Sequence, residues 1–141
     1  TTITQSLSKR LAFHEFKPGL RKIRQTGYAI GLSQSLSKAE VLTLFLHESS
    51  FRGSNGQWIK GFDAASRQFF KLPVAELDLD RFALLVASGI APAELAPDNP
   101  NAKLLERSAR IKRLMAGTCK LVDHGDVWLD GCKVNGVTAA K

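Results

Sequence analysis

Ser37-Lys38-Ala39-Glu40-Val41-Leu42-Thr43-Leu44-Phe45-Leu46-His47-Glu48 is the stretch on which the fold reading turns. Ser37 and Glu40 have the spacing of a capping box, in which a hydroxyl and a carboxylate satisfy each other's backbone N–H groups. Leu36 and Val41 take the places of the accompanying hydrophobic staple. The run that follows is apolar on most sides, which predicts a buried helix over 38–48 at the centre of the fold.

Working outward, the remaining segments also read mainly as helices. Ser8–Phe16 predicts a short helix, and Pro18 suits the first turn of a second one that Gly27 would end. Asn55-Gly56 is a turn signal with hairpin potential. Asp63 is placed to cap a helix through Phe70, and Asp78 or Leu77 to begin another that Gly89 closes. Pro92, Pro97 and Pro100 mark a loop. Asn99-Pro100 is placed to start a long helix over Pro100–Ala116, with Leu104, Leu105, Ser108, Ile111 and Met115 inward at helical spacing.

The tail changes period. Lys120-Leu121-Val122, Val127-Trp128-Leu129 and Cys132-Lys133-Val134 read as short strands, with Asp123-His124-Gly125-Asp126 and Asp130-Gly131 as the turns between them and Asn135-Gly136 as a further turn. The expectation is an α+β fold, predominantly helical. Five to six short helices surround helix 38–48, with a small C-terminal β-hairpin or meander. The whole of 1–141 reads as one domain, with a helical body at 1–117 and a β-rich tail at 118–137. Gln5-Ser6-Leu7-Ser8-Lys9 recurs as Gln34-Ser35-Leu36-Ser37-Lys38. This admits either a duplicated unit or a common way of starting a helix.

The chain's 141 residues suffice for a real core, and its 44% hydrophobic and 23% charged content is ordinary for a globular protein. No run of about 18 apolar residues is present, so no membrane insertion is expected. Thr1–Ser6 lacks the apolar core of a signal peptide, which makes a cytoplasmic protein the expectation. Cys119 and Cys132 lack zinc-ligand spacing and read as small packing residues, with a bridge between strands as the alternative. His14, His47 and His124 have no metal-like spacing, and neither a cofactor nor a metal is assigned.

Charge carries the main functional reading. The net charge is +7. Residues 1–30 hold six Lys/Arg against Glu15, residues 61–100 hold three basic against six acidic, and residues 101–141 hold eight against four. Two basic ends around an acidic middle suggest an anionic partner. Arg21, Lys22 and Arg24 form one cluster, with Lys9, Arg10 and Lys17 upstream of it. Arg107, Arg110, Lys112 and Arg113, with Lys103, form the outer face of the last helix.

Such stripes can follow a phosphate backbone. The first reading is therefore a small basic nucleic-acid-binding protein of phage or mobile-element type. DNA or RNA is its partner, gripped by Arg21, Lys22, Arg24, Arg107, Arg110, Lys112 and Arg113. Tyr28, Trp58 and Trp128 could add base stacking. A homo-oligomer is possible. The alternative is a structural or assembly protein, for example virion-associated, that meets an acidic partner. Neither reading needs catalysis.

Three short resemblances accompany this. Leu121–Gly131 resembles the final hairpin of S4-type RNA-binding domains, with Asp130 where Asn is usual. Asp63–Cys119 resembles in helix rhythm the core-binding domains of tyrosine recombinases. Neither match carries residue roles across. His47-Glu48, at a helix end before Ser49-Ser50-Phe51, resembles the acid position of lysozyme-like transglycosylases. That implies a remote third reading, glycan cleavage with Glu48 as general acid, if its pKa is raised. The family's downstream Gly-Leu-Met-Gln-type segment is absent.

Overall fold

The computed structural model describes residues 3–12 and 20–134; for Ala12, Leu20, Arg21 and Lys22 the backbone alone is described. The chain is predominantly helical with one small antiparallel sheet, which is the expected class. Its helices are α1 (Ile3–Ala12), α2 (Leu20–Ser35), α3 (Lys38–Glu48), α4 (Phe62–Phe70), α5 (Leu79–Ser88) and α6 (Ala102–Met115). The strands are β1 (Ser50–Arg52) and β2 (Trp58–Lys60). Single 3₁₀ turns stand at Val74–Glu76 and Asp130–Cys132.

The local signals near α3 hold. Ser37 Oγ accepts the Glu40 N–H, and the Glu40 carboxylate accepts the Ser37 N–H at 2.8 Å, closing the capping box. Asp78 caps α5 by accepting the Arg81 N–H at 2.8 Å. Asn101 caps α6 by accepting the Leu104 N–H at 2.9 Å. Each of these contacts spans three residues, so sequence spacing alone specifies it.

Four expectations change. Gly27 does not end α2, which continues to Ser35 through Gly31. A glycine inside a helix costs about 1 kcal/mol relative to Ala, and here α1 packs against α2 and offsets it. Gln25 Nε2 donates to the Gln5 carbonyl at 3.1 Å, and Leu7 and Ser8 are fully buried nearby. Ile23, on the same helix as Gln25, is 70% exposed. Pro18 and Phe16 lie outside the described residues.

The two Gln-Ser-Leu-Ser-Lys copies also differ in structure. The first lies inside α1, and the second straddles the break between α2 and α3. Asp63 is not the α4 cap. The helix starts one residue earlier, after Gly61 at φ +94°, whose N–H is donated to the Ser49 carbonyl at 2.7 Å. Asp63 accepts the Val74 N–H at 3.0 Å and pairs with Arg67.

The central helix is α5 rather than α3. Within α3, Val41 is the buried residue. α5 serves two cores. Ala83 and Ala87 pack with Leu95, Leu104, Ile111, Leu129 and Cys132. Leu85 packs with Phe51, Phe62 and Ala65. Phe51 and Phe62 meet edge to face, 4.9 Å between ring centres.

The fourth correction concerns the tail. The sheet is β1–β2, with Ser50 opposite Lys60, Phe51 opposite Ile59 and Arg52 opposite Trp58. Its turn runs through Gly56 at φ +82°. The β-rich tail expected at 118–137 contains no strand among its described residues, 118–134. Its backbone groups are taken by side chains instead of a ladder. Asp126 accepts the N–H groups of Val122, Asp130 and Gly131. Leu129 adopts φ 59°, which turns the chain out of any strand path. Cys119 and Cys132 are joined as a disulfide with Cα atoms 5.2 Å apart, so they are not free packing thiols.

A candidate active-site cavity

α1, α3, the hairpin and the loop after α5 line an open cavity of about 620 Å3. Ser6, Lys9 and Arg10 come from successive turns of α1. Glu48 ends α3, Ser50 and Lys60 face each other across the hairpin register, and Pro92 closes the wall. Three cations and one carboxylate therefore line one space.

The Glu48 carboxylate has two partners, and a third side chain holds the Glu48 backbone. Lys60 Nζ lies 2.6 Å from Glu48 Oε2, and His47 Nδ1 lies 3.4 Å from Oε1. Arg10 Nη1 donates to the Glu48 backbone carbonyl at 3.0 Å, and its guanidinium stands 5.4 Å from the Phe45 ring centre. The Lys60 hydrogen bond holds the Glu48 carboxyl below its ordinary range, aided by His47 and opposed by desolvation. Burial lowers the Arg10 guanidinium and Glu48 partly restores it; an arginine stays charged nonetheless.

This overturns the role that the sequence suggested for Glu48. A general acid near neutral pH needs a raised pKa, and Glu48 has a lowered one. It is a fixed anion that orients the Lys60 ammonium.

The residues read as a nucleic-acid grip lie elsewhere. Arg21 and Lys22 sit on α2 with side chains outside the described set, and Arg24 is exposed on the same helix. Arg107, Arg110 and Arg113 do not form a free outer face. Arg107 Nη1 donates to the Val127 carbonyl. Arg110 donates to the Trp128 carbonyl at 2.9 Å, and pairs with Asp130 and Glu106. Arg113 Nε donates to the Cys132 carbonyl at 2.8 Å. Lys112 pairs with Asp80. Of the five grip residues whose side chains are described, none lines the cavity.

Burial, then the neighbouring Arg110, push the Arg107 guanidinium below its ordinary value, and Asp126 partly offsets them. Trp128, a candidate stacking ring, is half-buried with Lys103 and Arg107 over it at 4.5 and 5.3 Å. Trp58 and Tyr28 are exposed. Among the described residues no group of three His, Cys, Asp or Glu could hold a metal, and no helix is long and apolar enough to cross a membrane.

The sequence reading passed over Lys60, Ser6 and Ser50, and counted Lys9 and Arg10 only as an extension of a basic cluster. One signal was available. Lys9 and Arg10 end the same short helix, and Glu48 and Lys60 flank one hairpin.

A model of the transglycosylase family matches residues 1–116. Penicillin-binding protein 1B of Buchnera aphidicola is 34% identical over 109 residues, 77% of this chain and 14% of that protein. A biosynthetic peptidoglycan transglycosylase of Citrobacter koseri is 30% identical over 115 residues, 82% of this chain and 46% of that protein. Penicillin-binding protein 1A of Aquifex aeolicus is 34% identical over 116 residues, 82% of this chain and 15% of that protein. The chain thus spans less than half the length of each of these relatives.

These matches correct the charge-based readings. The basic ends led to DNA or RNA as partner and to a phage or mobile-element protein without catalysis. The family instead groups the chain with enzymes that act on peptidoglycan glycan. The remote glycan-cleavage reading gains no support from them: the Citrobacter koseri relative is named a biosynthetic transglycosylase. Over residues 1–116, most of its length, the chain belongs to the transglycosylase family.

Proposed function

We propose that the chain forms part of a peptidoglycan transglycosylase, an enzyme that joins glycan units into longer chains. The family match over residues 1–116 carries this reading, and the cationic cavity supports it. In glycosyl transfer an acceptor hydroxyl displaces the leaving group at the anomeric carbon. Negative charge then develops on the departing oxygen. Preorganised cations stabilise that charge in the transition state more than in the ground state.

Lys9, Arg10 and Lys60 supply such a field, which suits a glycosyl donor with an anionic leaving group. Glu48, ionised and bound to Lys60, fixes the ammonium in place. Ser6 and Ser50 offer hydroxyls for sugar contacts. The Cys119–Cys132 bridge favours an oxidising compartment over the cytosol.

The test is elongation of a labelled peptidoglycan disaccharide precursor by the full chain, read as product length. Lys9→Ala and Lys60→Ala should each slow elongation by about 100-fold, the scale of one lost electrostatic donor. Arg24→Ala should leave the rate unchanged. Equal rates for the Lys9→Ala variant and the parent would remove the cavity from the mechanism.

A further inference from the structure

Residues 117–134 lie beyond the family match, yet they complete a core. Leu129 and Cys132 are buried in the cluster of α5 and α6, and Trp128 and Cys119 pack against it. The segment has almost no regular structure of its own. It is held as a strap by Arg107, Arg110 and Arg113, which take its carbonyls from successive turns of α6. Its path is closed by the Cys119–Cys132 bridge.

The two sulfur-bearing residues differ in access. Cys132 is 1% exposed, whereas Cys119 is only partly buried. The same core reaches the cavity. Ile90 and Ala91 pack against the cluster and Leu95 is buried within it. Pro92, between them in sequence, forms part of the cavity wall.

We propose that residues 117–134 form a thiol-controlled strap, whose disulfide state sets how firmly the Pro92 wall of the cavity is held. A dithiol reductant attacks Sγ of Cys119 and forms a mixed disulfide. Cys132 leaves as the thiolate and takes a proton. The second thiol of the reductant then displaces Cys119, so the reductant ends as its own disulfide and both cysteines as thiols. The open strap keeps three arginine contacts but loses the closure that limited its conformations. Segment 90–95 then loses part of the packing that fixes it.

This control stands apart from the glycosyl-transfer reading, and its test uses no substrate. Hydrogen exchange is measured on the full chain with and without dithiothreitol, while alkylation counts the thiols. On reduction, exchange over 117–134 should rise by at least about ten-fold, and exchange over 90–95 should rise with it. The Cys119→Ser/Cys132→Ser double variant should show the same open pattern and no response to dithiothreitol. If that variant fails to fold, native reduction of the parent chain still decides.

Three results would each overturn the proposal. The first is a bridge that opens only in denaturant. The second is unchanged exchange over 117–134 once both thiols alkylate. The third is a rise confined to 117–134 while 90–95 stays protected.

Discussion

The cations around the cavity and those along α6 are the same residue types in the same small chain, and their surroundings give them opposite work. Lys60 is 58% exposed and faces an open space with a single carboxylate. Arg110 is 8% exposed, and its guanidinium is spent on a carbonyl and two carboxylates of its own chain. A cation whose charge is already paired within its own chain holds structure. A cation beside empty volume can meet a ligand. Net charge counts both alike, which is why the +7 total pointed to the wrong partner.

Substitutions can break this contrast. The largest effect is expected at Arg110. Arg110→Ala leaves the Trp128 carbonyl without its donor and opens space under the strap. It should cost about 2–3 kcal/mol, read as a lower midpoint in urea with little change in slope. A cost near zero would place Arg110 with the cavity cations and dissolve the distinction.

Acid sharpens the comparison through two carboxylates. Asp126 lies in the strap, and the Gly131, Asp130 and Val122 N–H groups, in that order of effect with desolvation opposing, hold it below its ordinary range. Glu48 is lowered mainly by Lys60. For both, the folded form favours the ionised state. The stability each contributes is full above the unfolded carboxylate range and disappears as pH falls through the lowered folded value. Asp126→Asn and Glu48→Gln should each flatten the acid limb of thermal stability below about pH 5. Asp126→Asn alone should also raise hydrogen exchange in the strap. The same exchange response from Glu48→Gln would mean the two regions are one.

The smallest effect is expected at Lys112. Its pairing with Asp80 is on the surface, and Lys112→Ala should change stability by less than about 0.5 kcal/mol in the same urea experiment. A loss as large as that of Arg110 would show that exposure does not sort the α6 cations.

Legibility followed the range of the interaction. The Ser37–Glu40 box and the Asp78 cap were readable because donor and acceptor lie within one turn, whereas α6 starts after Asn101 and not at Asn99-Pro100 as expected. Gly27 was misread because its effect depends on α1, which packs against α2 from a distant part of the chain. The tail departs from its expected strands because Val122, Val127 and Trp128 have strand composition, while the Val122 N–H goes to Asp126 and the Val127 and Trp128 carbonyls go to α6. The Glu48 site was noticed as a helix-end pair. Its state was not readable, since Lys60 reaches it only through the hairpin.

What the sequence by itself determined is the helical class, the start of α3 and α5, the Asn55-Gly56 turn and the charge inventory. These rest on contacts a few residues long and on composition. The tertiary structure decided which charges are used up, that α5 rather than α3 is central, that Cys119 meets Cys132, and that Lys9, Arg10, Glu48 and Lys60 share one cavity. Each of these joins residues far apart in the chain, and only packing brings them within hydrogen-bonding or covalent reach.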